Sequence, residues 1–423
     1  MACPPLPHVH FHPSQIIFMS SEDIVPGSTV VPGKRSQAGD INFQSLGLLT
    51  AGHLVIDIGQ GAIPAILPFL RAHLSLSYTA AGVIVLLATA TSSLIQPLFG
   101  YLADRRRRPW ILPIGVLMSS VGIAFIGLVS SYGAVLLLVT LAGLGTAAYH
   151  PEGYRSASEV AGNRKATGIA LFSSGGNIGF ALGPPIITLL ITTFGLAGSV
   201  GMLVPGVIAA SLLVFAMPGA PSGAAAKPRG TASSKSGTLV SGMVVLIAVV
   251  GIRSWAQIGF STFLPFYYLD VMGGDPRMVG TLLGVFLGGG ALGGLTAGPI
   301  ADRFGVRRFT ILVFLLSTPL AVTFFFVTGV WSFVVLGCFG FVLISTFTVT
   351  VVLAQGYMPG NLGMASGLVV GFAMGAGGVG VTALGWIADH WSITVALWSC
   401  ALMPVGAFFL SLFLPPLPAR TDD

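Results

Sequence analysis

Charge is what this chain has least of. Asp, Glu, Lys and Arg make up only 8% of its 423 residues, against roughly 25% in soluble domains. So few charges cannot cover the surface of a soluble fold of this size, which excludes a water-borne globular protein. Cysteine is scarce as well. Cys3, Cys338 and Cys400 stand far apart, giving no disulfide framework, no C-x-x-C pair and no zinc site. There is no P-loop, so an ion gradient is the expected energy source. A G-x-S-x-G nucleophile and an H-E-x-x-H zinc helix are also missing, which argues against an intramembrane enzyme.

What the chain does have is apolar length and glycine. It is 54% hydrophobic and contains 58 glycines, about twice the usual share of ~7%. Small residues let helices approach closely where no hydrophobic effect drives them together. A span needs ~20 apolar residues. Runs that qualify lie at 44–70, 78–103, 110–130, 133–152, 166–194 and 198–217, then at 239–269, 277–301, 309–329, 331–357, 362–388 and 391–414. The chain thus reads as an all-α membrane protein of twelve transmembrane helices. A six-helix half at 44–217 is joined to a second at 239–414 by a polar, cytoplasmic linker at 218–238.

The formal charge of +6 comes from loops. Lys34, Arg35, Arg105 to Arg108, Arg155, Arg164, Lys165, Lys227, Arg229, Lys235, Arg303, Arg307, Arg308 and Arg420 fall on one side if the N-terminus is inside. Only Arg71 and Arg277 fall on the other, and Arg253 lies within a span. Both termini are therefore expected in the cytoplasm, and no nucleic-acid partner is needed to explain the charge. Residues 1–43 lack a basic n-region and read as a disordered tail rather than a signal peptide, with 415–423 as a second tail. His8, His10 and His12 are read as solvated, and either Met1 or Met19 is a possible start.

One short element occurs twice. Gly100-Tyr101-Leu102-Ala103-Asp104-Arg105 precedes Arg106 to Arg108, and Gly298-Pro299-Ile300-Ala301-Asp302-Arg303 precedes Gly305, Arg307 and Arg308. Each copy joins the second and third spans of its half, which points to duplication and to parallel repeats with a substrate path between them. The fifth and eleventh spans carry matching ladders, Gly175, Gly179, Gly183 and Gly367, Gly371, Gly375. These suit close helix packing and also a gliding interface.

The repeated loop resembles the signature loop of the major facilitator superfamily, and Gly179-x-x-x-Gly183-Pro184 resembles part of its antiporter motif, without the glycine pair usual after it. Other segments resemble the fosmidomycin-resistance family of bacterial efflux proteins. They are His53 to Gln60, Gln96 to Tyr101, Tyr149-His150-Pro151-Glu152 with Arg155, and Gly175 to Gly179. Later come Ala354-Gln355, Pro359-Gly360, Gly363 to Gly367 and Ile387-Ala388-Asp389-His390. Two positions depart from the pattern: Arg107 replaces a loop glycine, and Gly356 stands where the family often has an acid. The resemblance implies the major facilitator fold. It also implies that Gly100, Asp104, Arg105, Arg108, Gly298, Asp302, Arg303 and Arg307 form a latch holding the cytoplasmic side closed.

Charges inside a bilayer cost about 2.5–3.5 kcal/mol each on insertion scales, so each needs a reason. Asp57 lies in the first span, with His53 four residues before it and Gln60 three after, on one helical face. A carboxylate between wet and dry surroundings can exchange a proton, or can simply tie its span to a neighbour. His150, Glu152 and Arg155 cluster about Pro151, as a proton relay or as a structural clasp. Proton coupling is assigned to His53, Asp57, His150 and Glu152. Arg253 is deep in the seventh span, where it suits a phosphonate or carboxylate, a structural partner within the bundle, or snorkelling to the surface. Gln60, Gln96, Asn177, Gln355 and Arg155 complete the candidate substrate contacts. The expectation is a proton-coupled exporter of a small drug-like or anionic, phosphonate-type compound in a bacterial inner membrane. It would be monomeric, without cofactor or resident metal. An importer of an organic anion is the alternative, and a non-transporting sensor a remote one.

Overall fold

A bilayer offers no hydrogen bonds to exposed backbone, so each spanning segment must satisfy its own amides, and helices do this. The computed structural model describes residues 41–105, 108–216, 239–359 and 362–417, without side chains at 103–105, 166, 362 and 363. The bulk of the N-terminal tail, the linker, Arg106, Arg107 and the side chains of Asp104 and Arg105 lie outside this set.

Thirteen helices and three short 3-10 turns follow one another among the described residues, with no strand. They are α1 (Phe43–Leu74), α2 (Tyr78–Leu94), α3 (Gln96–Arg105), α4 (Ile111–Ala124), α5 (Tyr132–Val160), α6 (Lys165–Phe194) and α7 (Leu203–Ala216) in the first half. The second half holds α8 (Val240–Asp270), α9 (Val279–Phe304), α10 (Val306–Thr323), α11 (Val330–Tyr357), α12 (Leu362–His390) and α13 (Ile393–Leu412). Among the described residues, eleven stretches are long and apolar enough to cross a membrane, and α4 is a shorter apolar helix, which accounts for all twelve expected spans. Local chemistry sets the ends. Asn42, Ser77, Ser131 and Ser392 cap α1, α2, α5 and α13 with their side chains. Gly305, at φ 86°, makes the left-handed link from α9 to α10.

Two spans differ from the sequence reading. The run 78–103 is broken between α2 and α3 at Ile95, just before Pro97, which cannot donate an amide to the preceding turn. The run 110–130 gives a helix of only 14 residues, about 21 Å long at 1.5 Å per residue. Ser199, from the turn before α7, enters at its end. The Ser199 hydroxyl donates to the Ala124 carbonyl at 2.7 Å and accepts from the Gly127 amide at 3.3 Å, replacing helical bonds.

Backbone-to-backbone approach holds the first half together. On α6, a Cβ at Gly179 would strike the Leu54 carbonyl, and one at Gly183 the Ile58 carbonyl; on α1, a Cβ at Gly61 would strike the Phe180 carbonyl. The ladder on α12 behaves differently. A Cβ at Gly367, Gly371 or Gly375 would meet no described atom within 4 Å, so close packing of that ladder is not what this conformation shows.

The two halves touch at one end and part at the other. α2 packs on α12 and α6 on α9, with Gly82 against Val381, Gly385 against Tyr78, and Gly280 against Pro184. Toward the end that carries the repeated loops, Gly294, Gly298 and the α12 ladder face open space. Gly61→Leu or Gly179→Leu is expected to abolish the folded protein, read as loss of a monodisperse peak and of a thermal transition in detergent. Gly371→Ala should leave stability unchanged or raise it, by no more than about 1 kcal/mol.

Candidate functional site

The first half places three donor-bearing side chains from two helices together. His53 and Asp57 lie one turn apart on α1, and His150 reaches them from α5. His53 Nε2 is 3.3 Å from Asp57 Oδ2, and His150 Nε2 is 3.4 Å from Asp57 Oδ1. The site is nearly closed: His53 is 4% exposed, and Asp57 and His150 are each 17% exposed.

The hydrogen-bond inventory of this cluster requires one proton beyond those of a neutral His53 and an ionised Asp57. His53 Nδ1 is 2.8 Å from the Phe172 carbonyl of α6. A carbonyl only accepts, so Nδ1 must donate. In a neutral ring, Nε2 then carries a lone pair facing a carboxylate oxygen. The contact is attractive only if a further proton sits on Nε2 or on Oδ2. The His150 contact to Oδ1 makes no such demand, because a neutral His150 carrying its proton on Nε2 can donate to the carboxylate. Asp57 thus stands between two imidazoles, with the additional proton lying at its contact with His53. The three donor atoms lie within 4.8 Å of one another and form the one group among the described residues that could hold a metal ion. His53 is held on its other side by aromatic rings. Phe172 stacks on it at 4.2 Å, and Tyr154 and His150 present edges at 5.9 and 4.9 Å. Tyr149, fully buried, donates its hydroxyl to the Leu49 carbonyl at 2.6 Å.

Gly176 of α6 covers the cluster. A Cβ there would sit 2.5 Å from both Asp57 Oδ2 and His53 Nε2, so only glycine lets α6 close over the pair.

The other candidates fall elsewhere. α5 runs through Pro151 as helix, which keeps Glu152 off the face of His150. Glu152 is buried, with Oε2 3.9 Å from Arg155 Nη1, while Arg155 Nε donates to Glu159 at 3.2 Å. Gln60 donates to Thr146 at 2.8 Å, tying α1 to α5 below the cluster. Gln355 donates to Ser366 at 2.9 Å, tying α11 to α12. Gln96 is half-buried at the α2–α3 break, and Asn177 is exposed.

Arg253 is the chemical counterpart in the second half. It is 2% exposed. Its Nη1 donates to Gln257 at 2.9 Å and its Nη2 to the Ser254 hydroxyl at 3.1 Å; the guanidinium lies 5.4 Å from the Phe347 ring. Nε has no hydrogen-bond partner, and Arg253 makes no ion pair among the described residues.

Of the repeated loops, Asp302 and Arg303 are exposed and Arg108 is half-buried. Gly100 lies against Pro151 of α5. Arg307 is engaged within its own half, where it donates to the Leu414 carbonyl at 2.5 Å and the Leu412 carbonyl at 2.8 Å at the end of α13.

Phe172, Tyr154, Thr146 and Gly176 are parts of the site that sequence reasoning misses. Only Gly176 carried a signal, as one of the glycines in the Gly175 to Gly179 segment.

Comparison with known proteins agrees with this architecture. Residues 49–276 and 246–423 match the Major Facilitator Superfamily. The chain is similar to the uncharacterized MFS-type transporter YfnC of Bacillus subtilis, at 35% identity over 92% of this chain and 94% of the relative. It is also similar to the fosmidomycin resistance protein of Escherichia coli, at 33% identity over 88% of this chain and 93% of the relative. Among solved structures, the xylose transporter XylE in an inward open conformation superposes with a TM-score of 0.69. The match has 14% identity and covers 89% of this chain and 97% of that one.

Gly176→Ala is expected to separate α6 from the cluster and release His53 from the Phe172 carbonyl. Histidine NMR of labelled protein should then show the His53 Nδ1 proton exchanging with water faster than in the parent. Unchanged exchange would show that the cluster does not depend on this glycine.

Proposed function

The chain belongs to the major facilitator superfamily, and from that premise we propose that it exports a small drug-like or anionic compound, of phosphonate type, in exchange for protons. The superfamily and the relatives are transporters, so no enzymatic reaction is assigned. One observation carries the reading: the halves hold complementary chemistry. The first half gathers His53 and His150 about the Asp57 carboxylate, and the second keeps a buried guanidinium with no counter-ion among the described residues at Arg253. A guanidinium in that state can take a phosphonate or carboxylate on two parallel N–H donors. The name of the Escherichia coli relative, fosmidomycin resistance protein, favours efflux over uptake.

In this scheme the open end faces the cytoplasm of a bacterial cell, with both termini on that side of the inner membrane. Six-helix units at 44–217 and 239–414 rock about the path between them as a monomer. Substrate enters as the Asp57 cluster releases a proton inward. After the halves rock, the cluster takes a proton from outside and the anion departs. Asp104 and Arg105 to Arg108 in one loop, with Asp302 and Arg303 in the other, latch the cytoplasmic end in the alternate state. Glu152 and Arg155 stiffen α5 beside this path.

Purified protein in liposomes with an imposed pH gradient tests the scheme against a panel of phosphonates and hydrophobic drugs. Asp57→Asn is expected to abolish gradient-driven movement while leaving substrate exchange without a gradient intact. Arg253→Gln should raise the half-saturating concentration of an anionic substrate by about 10- to 100-fold, the loss expected for a charged hydrogen-bonding partner. Gradient-driven transport by Asp57→Asn at the parent rate would remove this cluster from coupling. Movement with the proton gradient rather than against it would make the protein an importer.

A further inference from the structure

The end at which the halves touch is held by a polar clasp that crosses between them. It centres on the first turn of α2. A helix leaves its first amides without helical partners, and here all of those at N1 to N3 are accounted for. The Ala80 amide donates to the side chain of its own cap, Ser77, at 3.0 Å. The Tyr78 and Thr79 amides donate instead to Asp389, at 2.8 and 2.9 Å, and Asp389 belongs to α12 of the other half. The Thr79 hydroxyl adds a third bond to the same carboxylate at 2.6 Å.

Placement on α12 makes this arrangement one-sided. Asp389 is the penultimate residue of α12, where the negative end of the helix dipole disfavours an acid. The same carboxylate faces the positive end of α2. Its position is unfavourable within its own helix and favourable only across the gap, as long as the halves are together at this end.

A second set of contacts runs alongside. Asp270, at the end of α8 in the second half, accepts from the Tyr78 hydroxyl at 2.8 Å and lies 3.5 Å from Arg71 Nη1 of α1. The Arg71 guanidinium covers the Tyr78 ring at 4.0 Å, and the Phe266 ring meets it edge-on with centroids 5.4 Å apart. Tyr78 is thus bound through its amide to one acid of the second half and through its hydroxyl to another.

We infer that Asp389 is a positioning residue for transport, which caps α2 from the opposite half and so stabilises the state closed at this end, with Asp270, Arg71 and Tyr78 as its accessory. The contacts are partly exposed to solvent, so water can take over the freed amides when the halves part. That is what a reversible gate requires and a permanent tie does not. The inference rests on the alternating access of the superfamily alone and is independent of the proton and anion sites proposed above.

Spin-label distances separate a gate from a merely local cap. One pair, Ala72→Cys with Val330→Cys, spans the halves at the closed end, and a second, Leu171→Cys with Leu368→Cys, spans them toward the open end. Both are made in full-length protein with Cys3→Ser and Cys338→Ser, in nanodiscs, where either face is accessible. Asp389→Ala is expected to raise the population with a long closed-end distance by about 3- to 30-fold, as for loss of a helix cap. The other pair should shorten in the same proportion, since rigid halves cannot open at one end without closing at the other. Unchanged distances at both ends would overturn the inference. A closed-end pair that broadens while the other pair stays fixed would also overturn it, because that is fraying of α2 alone. If Asp389→Ala yields no folded protein, Thr79→Ala removes one of the three bonds and is held to the same two criteria with a smaller shift.

Discussion

The approach of α1 to α6 through glycine is the contact on which the first half depends. Gly61, Gly179 and Gly183 bring backbone against backbone, closer than any side chain would allow. That proximity places the Phe172 carbonyl within reach of His53 and lets Gly176 close over the Asp57 carboxylate. A histidine in an apolar span would otherwise turn freely. Here one nitrogen is committed to a carbonyl, and the second is left to share a proton with an acid. Packing chosen for closeness thereby becomes electrostatics.

The two halves share a plan and differ in chemistry. Both carry six spans, and both carry the short element ending in Asp and Arg after the second span. Yet the first half buries a His–Asp–His cluster and the second a guanidinium held by Gln257 and Ser254 with no ion pair among the described residues. Their glycine ladders also differ in use. The α6 ladder is pressed against α1, while the α12 ladder looks into open space and α12 meets its neighbours through Gly377, Gly378, Gly380 and Gly385 instead. The helices correspond between the halves, while the polar groups they bury do not.

Much of this was legible in one dimension. Apolar runs located all twelve spans because bilayer thickness dictates their length. Helix spacing put His53, Asp57 and Gln60 on one face, and all three make polar contacts toward α5 or α6. The depth of Arg253 in its run matches its burial. Contacts across long separations were not legible. Nothing in the sequence ties Asp57 to His150, Ser199 to the end of α4, or Asp389 to the first turn of α2. Each joins residues remote in the chain, and each depends on the exact angle at which helices cross.

The sequence by itself determined the class of molecule, the number of spans, the doubled plan and the few charged or polar groups worth explaining. It did so because water and lipid sort residues by polarity, one position at a time. Only the tertiary structure decided which of those groups meet, which glycine ladder is packed and which end of the path is shut. Those outcomes depend on distances of a few ångströms between helices, and no local pattern of residues encodes them.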